Sequence, residues 1–156
     1  MTRFEATNHS ESLVAADREA IWAALTDPEV LPRLTPMLRS IETDGDVWRW
    51  QLTRFTILGI GLAPCFTERM VLDPPGNITY SHEPLARKHE PAGADGWYLL
   101  TEVDGGTRLE ISLTMHVDLP LSRLARPAVT RVMSSMMQRT GERFATNLLR
   151  HLTVPA

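Results

Sequence analysis

Residues 97–119 read WYLLTEVDGGTRLEISLTMHVDL, and this segment decides the fold. Apolar and polar side chains alternate from Leu109 to Leu119, as expected of a strand with one dry face and one wet face. The Asp-Gly-Gly turn at 104–106 supplies residues that tolerate positive φ, which a hairpin requires. The segment therefore predicts two antiparallel strands and places His116 on the wet face of the second.

A long amphipathic helix is predicted after this hairpin. Apolar residues recur at helical spacing from Pro127 to His151, and Pro127 itself predicts a kink or a restart. Roughly 24 helical residues span about 36 Å, which is enough to cross a small domain. A one-sided sheet followed by such a helix predicts a sheet that closes around the helix, with room for a ligand cavity between them.

The remaining elements come before the hairpin. A strand is predicted at about 3–15, two short helices follow it, and further strands run between Leu38 and His82. One of these strands is predicted to continue from Val47 to about Ile57. Residues 83–96 contain prolines, glycines and mixed charges, which predict a loop over one end of the sheet.

Composition excludes several classes of function. The net charge of −3 gives no reason to expect a nucleic acid or an anionic membrane as partner. The single cysteine, Cys65, rules out an intrachain disulfide. No apolar run is long enough to predict a membrane span, and the N-terminus has no signal-peptide pattern, so we expect a cytoplasmic protein.

Three segments carry a resemblance to known proteins: ADREAIWAALTDPE at 16–29, DPP at 73–75 and GWYLLTEVDGGTRL at 96–109. With these segments the chain resembles the START/Bet v 1-like helix-grip superfamily, and in particular its bacterial polyketide cyclase/dehydrase-like (SRPBCC) group. The resemblance implies an α+β fold. A curved antiparallel sheet of about six to seven strands would wrap around a long C-terminal helix, with two short helices after the first strand. It covers nearly the whole chain and implies a single domain over 1–156.

Proteins of this superfamily are commonly hollow, so the resemblance implies a cavity between sheet and helix. Its walls would come from inward strand positions and from the inner helix face. Methionines there suit a pocket for varied apolar ligands, but methionine is also a common gap-filler, and ordinary core packing is the favoured of the two interpretations. The predicted wall residues are Trp50, Leu52, Phe66, Trp97, Leu99, Leu113, Met115, Met133, Met136, Met137 and Thr140.

Two charged residues are the candidates for chemistry inside this cavity. Inward-facing Phe66 and Met70 would place Glu68 on the same face, and inward-facing Leu52 would do so for Arg54. A carboxyl group inside a hollow has a raised pKa unless it is paired, and can act as an acid, a base or a ligand anchor. The alternative is a bulge near the turn at 59–61 that leaves both side chains in water.

The sequence carries no metal or nucleotide signature. His-x-x-x-His and Cys-x-x-Cys spacings are absent, and there is no glycine-rich phosphate loop, so we expect neither a metal nor another cofactor. The leading hypothesis is binding or transport of a small hydrophobic ligand, such as a lipid, a polyketide or an aromatic compound. Alternatives are a cyclase or dehydratase that uses the same cavity, and a protein-interaction module whose cavity is incidental. Whether the chain forms a homodimer stays open.

Overall fold

A computed structural model describes residues 1–86 and 88–153. The predicted loop at 83–96 and the predicted domain at 1–156 therefore include residues, 87 and 154–156, that lie outside this description. A single 3₁₀ turn, Arg123–Ala125, precedes the last helix. The other elements, in chain order, are β1 (Thr2–Val14), α1 (Arg18–Leu25), α2 (Leu31–Leu34), β2 (Leu38–Asp44), β3 (Val47–Leu52), β4 (Phe55–Ile57), β5 (Ile60–Leu62), β6 (Cys65–Asp73), β7 (Asn77–His82), β8 (Ala92–Val103), β9 (Gly106–Leu119) and α3 (Arg126–Thr153).

Seven strands form one curved antiparallel sheet in the order β1-β9-β8-β7-β6-β3-β2. The short strands β4 and β5 pair with each other as a separate hairpin. The helix α3 packs against the sheet and contacts β1, α1 and α2. The predicted α+β architecture, with two short helices after the first strand, is confirmed.

The hairpin that decides the fold has the predicted register. Val103 pairs with Gly106 across the turn, and Gly105 adopts a φ of 85° that favours glycine. The predicted loop is too long, however, because β8 begins at Ala92 and pairs with Val117 of β9. Two glycines allow this longer pairing, since residues 93 and 96 both lie where a side chain would collide with a neighbour.

We expect Gly96→Ala to destabilise the fold by at least about 2 kcal/mol. A Cβ at this position would overlap the backbone oxygen of Ser112 and the hydroxyl of Tyr80, so the β8–β9 pairing would have to shift. Gly141→Ala is the matched control, because its Cβ would meet only the Asn8 side chain at 3.6 Å and alanine is the better helix former. Urea denaturation should show opposite signs for the two variants; equal stability of both would contradict this packing.

The helix α3 is continuous over 28 residues. Pro127 lies in its first turn, where a missing N–H breaks no intrahelical bond, so the chain restarts there instead of kinking. The side chain of Ser122 accepts a bond from the Leu124 N–H in the preceding turn. Within the described residues, none of the helices is both long and apolar enough to cross a bilayer.

The core has two parts, and α3 passes through both. One part joins α1 and α2 to the C-terminal half of α3, where Phe144 and Leu148 are buried. The other joins β1, β9 and the β4–β5 hairpin to the N-terminal half of α3. Between Met137 and Phe144 the buried stripe of α3 is interrupted, and this interruption is where the interior is hollow.

Candidate functional site

A cavity of about 710 Å³ lies between the inner face of the sheet and α3. This volume is in the range of small-molecule sites, which is about 300–1,000 Å³. Most of the side chains around it are apolar. Nine of the predicted wall residues border it: Trp50, Leu52, Phe66, Leu113, Met115, Met133, Met136, Met137 and Thr140.

The exposed residues that border the cavity lie mainly on β1 and α3. On β1 they include Ser10 and Leu13, and on α3 they include Glu142 and Leu149. Leu13 is 76% exposed and also borders the cavity, so the cavity reaches the surface of the protein here. The mouth of the cavity is therefore the seam between the first strand and the last helix.

Trp97 and Leu99 do not border the cavity, and their predicted placement is wrong. Both alternate with Tyr98 and Leu100, which face inward from β8. The Trp97 ring meets the His9 ring edge-on, with 5.7 Å between their centroids, on the outer face of the sheet. All four side chains from 97 to 100 are apolar or aromatic, so the pattern of this strand alone does not say which pair faces inward.

Arg54 is also wrongly placed by the strand pattern. The predicted strand from Val47 to Ile57 is broken, because β3 ends at Leu52 and β4 begins at Phe55. Arg54 lies in the break, is exposed, and reaches over Gly61 of β5. Alternation cannot be carried across such a break, so Arg54 is not at the cavity.

Glu68 has the predicted inward position on β6. The residue is 1% exposed and borders the cavity. Its Oε1 accepts a 3.0 Å hydrogen bond from the backbone N–H of Ala94, beyond the last β7–β8 pair, Tyr80 with Gly96. Its Oε2 has no hydrogen-bond partner among the described residues. The carboxyl group thus binds a backbone N–H of β8 at a point where β8 is no longer paired with β7.

Burial is the main cause of an unusual protonation state at Glu68. Loss of solvent raises its pKa to about 9, and the nearby carboxylates of Asp95 and Glu90 add to this effect. The Ala94 N–H opposes the shift without reversing it. At neutral pH the site therefore holds a neutral carboxylic acid in an apolar wall.

A second set of mostly buried polar side chains joins Glu90 to strands β6, β7 and β9, and we call it the Glu90 cluster: Thr67, His82, Glu90 and His116. Glu90 accepts 2.8 and 2.7 Å bonds from the backbone N–H and the hydroxyl of Thr67, and a His82 nitrogen lies 2.9 Å from it. Burial alone would raise the pKa of Glu90, but these hydrogen bonds hold it below its ordinary value. These contacts hold Glu90 against β6 and β7.

His116 belongs to this cluster, although its strand pattern predicts a solvated side chain. It alternates with Met115 and Val117 along β9, and its ring lies 4.8 Å from the His82 ring between centroids. The residue is also among those that border the cavity. Only 5% of it is exposed, and the His82 ring and the Gly93 backbone lie against it. Burial lowers the pKa of His116, and the charges of Arg3 and His82 lower it further. The alternation within β9 does not report these neighbours, because they lie on other strands.

Removing the Glu90 carboxylate is expected to destabilise the fold. Glu90→Ala leaves the buried Thr67 hydroxyl and N–H without an acceptor, so we expect a loss of about 2–3 kcal/mol in unfolding free energy, measured by urea denaturation. Glu83→Ala is the control, since Glu83 pairs with Arg69 at the surface, and it should change little. Equal stability of the two variants would show that the hydrogen bonds of Glu90 do not stabilise the fold.

Structure comparison finds chains of the same fold at low sequence identity. A conserved protein from Geobacillus kaustophilus is 16% identical, with a TM-score of 0.70 and 94% of each chain covered. The Zhui aromatase/cyclase from Streptomyces sp. R1128 is 17% identical, with a TM-score of 0.66 and 95% of this chain and 93% of that chain covered. A protein from Rhodobacter sphaeroides is 24% identical, with a TM-score of 0.62 and 94% and 90% covered.

Sequence comparison gives the family. No curated protein sequence matches this chain significantly. The model of the family described as polyketide cyclase/dehydrase and lipid transport matches residues 1–152, which is nearly the whole chain. The chain therefore belongs to the polyketide cyclase/dehydrase and lipid transport family.

Proposed function

We propose that this protein binds a small hydrophobic ligand in the cavity between the sheet and α3, and carries it. The observation that supports this proposal most is the cavity itself, about 710 Å³ with mainly apolar walls. Protein interiors are otherwise packed as densely as organic crystals, and voids much larger than a water molecule are few. A cavity of this size would be unusual in a protein that binds no ligand.

The composition of the wall suits a ligand of variable shape. Met133, Met136 and Met137 border the cavity from one turn of α3, and Met115 borders it from β9. Unbranched, polarisable side chains adapt to different apolar partners. Thr140 and Gly141, the small residues where the buried stripe of the helix is interrupted, leave room beside them.

A cyclase or dehydratase is the second candidate function, and the neutral carboxyl group of Glu68 on the wall favours it. Zhui, a solved structure similar to this chain, is an aromatase/cyclase. In such an enzyme the cavity would fold the substrate and Glu68 would donate a proton. A protein-interaction module with an incidental cavity is supported less, because that function does not account for the cavity.

Native mass spectrometry of the purified protein, followed by organic extraction, tests the binding function. We expect a co-purifying apolar molecule at up to one per chain. An empty protein should take up the neutral probe N-phenyl-1-naphthylamine with saturable fluorescence enhancement. Absence of both a bound molecule and saturable probe uptake would overturn the proposal.

The enzyme candidate has a separate test. Glu68→Gln keeps an acceptor for the Ala94 N–H but cannot release a proton, so it should retain ligand binding. If the protein is an enzyme, this variant should lose turnover of a polyketide-type substrate. Full turnover by the variant would remove Glu68 from the mechanism.

A further inference from the structure

We propose that Trp50 and Glu68 form a polar subsite on the cavity wall that binds the carbonyl oxygen of a neutral, otherwise apolar ligand. The subsite has a role only when the cavity takes up a ligand, so it rests on the proposed function. What it adds is the chemistry of that ligand. A pure hydrocarbon, an amine and a charged lipid would each fit the walls less well than a ketone, an ester or a quinone.

Trp50 supplies the first hydrogen-bond donor. Its indole Nε1 is buried and has no partner among the described residues, although the residue borders the cavity. Indole N–H groups only donate, and a buried one normally finds an acceptor. An acceptor on a ligand would satisfy this group.

Glu68 supplies the second donor. The side chain is buried and forms no ion pair with the described residues, so it is favoured as a neutral acid. Its Oε1 already accepts the Ala94 N–H, which assigns the carbonyl role to that oxygen. The proton therefore belongs on Oε2, and this O–H also has no partner among the described residues.

The sheet register brings the two donors together. Trp50 pairs with Phe66 across β3 and β6, and Glu68 pairs with Trp48, so Trp50 and Glu68 are diagonal neighbours. Diagonal positions on one face of a sheet lie about 7–8 Å apart, which long side chains can bridge. A ligand oxygen between them would accept from the indole, from the carboxylic acid, or from both.

The chemistry of the two donors selects the ligand. A ligand amine would take the proton of Glu68 and leave an ammonium–carboxylate pair in the apolar cavity, where the desolvation of both charges is costly. A ligand carboxylate could accept both bonds, but it would bring an uncompensated charge into an apolar cavity. A neutral carbonyl oxygen satisfies both donors without adding charge.

An isosteric pair of probes tests the subsite. The ketone is 2-acetylnaphthalene, and the hydrocarbon is 2-isopropenylnaphthalene, in which a methylene group replaces the carbonyl oxygen. Displacement of N-phenyl-1-naphthylamine gives both dissociation constants. The ratio of the two constants, compared between wild type and variants, cancels the difference in hydration of the free probes.

Trp50→Phe keeps an aromatic ring and removes the donor, so it should lower the preference for the ketone by about 3- to 10-fold. Glu68→Met should lower it similarly, whereas Glu68→Gln should retain it because the amide still donates. Trp48→Phe is the matched control, since Trp48 is a buried neighbour that does not border the cavity, and it should leave the ratio unchanged.

The outcomes separate the two proposals. Binding of both probes, with the same preference in wild type and Trp50→Phe, would overturn the subsite and leave the binding function intact. Failure of both probes and of the naphthylamine to bind would overturn the binding function and the subsite with it. If Glu68→Met fails to fold, the ketone preference of Trp50→Phe and of Glu68→Gln still tests the subsite.

Discussion

Glu68→Gln is expected to stabilise the protein at pH 8 and to flatten the pH dependence of its unfolding free energy. The folded state holds a proton on Glu68 up to a pKa of about 9, whereas the unfolded chain releases it near the ordinary value of 4.5. Between these values the folded state binds one more proton than the unfolded state. The stability that this proton contributes is complete below about pH 4.5 and is lost as the pH rises toward 9.

The expected size of this effect is large. A single proton of difference gives a slope of about 1.4 kcal/mol per pH unit. Glutamine has no proton to take up and keeps the bond to the Ala94 N–H, so the slope from Glu68 should vanish in the variant. The gain from the substitution should therefore grow steadily between pH 6 and pH 8.

Urea denaturation of both proteins at several pH values between 5 and 8.5 measures the slope. Glu42→Gln is the control, because Glu42 lies on β2 with its side chain in solvent. A parallel pH dependence in wild type and Glu68→Gln would show that the carboxyl group is ionised in the folded protein. The assignment of its proton to Oε2 would then fail as well.

The sequence predicts β9 and α3 because the pattern of each is regular over many residues. The β9 alternation runs without interruption from Leu109 to Leu119, and one sheet face along it is either buried or borders the cavity. The helical spacing after Pro127 is sustained for seven turns, so the length of α3 follows from it. Glu68 was placed inward by the same parity, since β6 has no break between Phe66 and Met70.

The wrong predictions concern residues whose surroundings in the fold differ from those that the local alternation predicts. Arg54 follows a strand break that the alternation does not mark, and Trp97 lies on a strand with apolar side chains on both faces. His116 is predicted on the solvated face but is only 5% exposed, with its ring against that of His82. For Trp97 and His116 the deciding contacts, with His9 and His82, join residues distant in sequence, which periodicity within one segment does not report.

Narrowing the cavity with two added indoles is expected to weaken ligand uptake strongly. Met136→Trp in combination with Thr140→Trp places these indoles four residues apart on the side of α3 that borders the cavity. The Thr140 hydroxyl lies 3.9 Å from the sulfur of Met37 on the cavity wall, so an indole at position 140 would take up space between α3 and Met37. If a bound probe crowded by these rings loses binding free energy comparable to the cost of overpacking a core, about 1–3 kcal/mol, naphthylamine binding should weaken by about 5- to 150-fold.

The matched control puts the same two rings on the outside of the helix. Ser135→Trp with Arg139→Trp has the same spacing, and both positions are exposed and do not border the cavity. Circular dichroism and urea denaturation should show that both double variants are folded. If the inner pair then binds N-phenyl-1-naphthylamine as tightly as the outer pair, the ligand does not occupy the space between the sheet and α3. Loss of binding in the inner pair alone would locate the ligand beside the helix, because only the position of the two indoles differs.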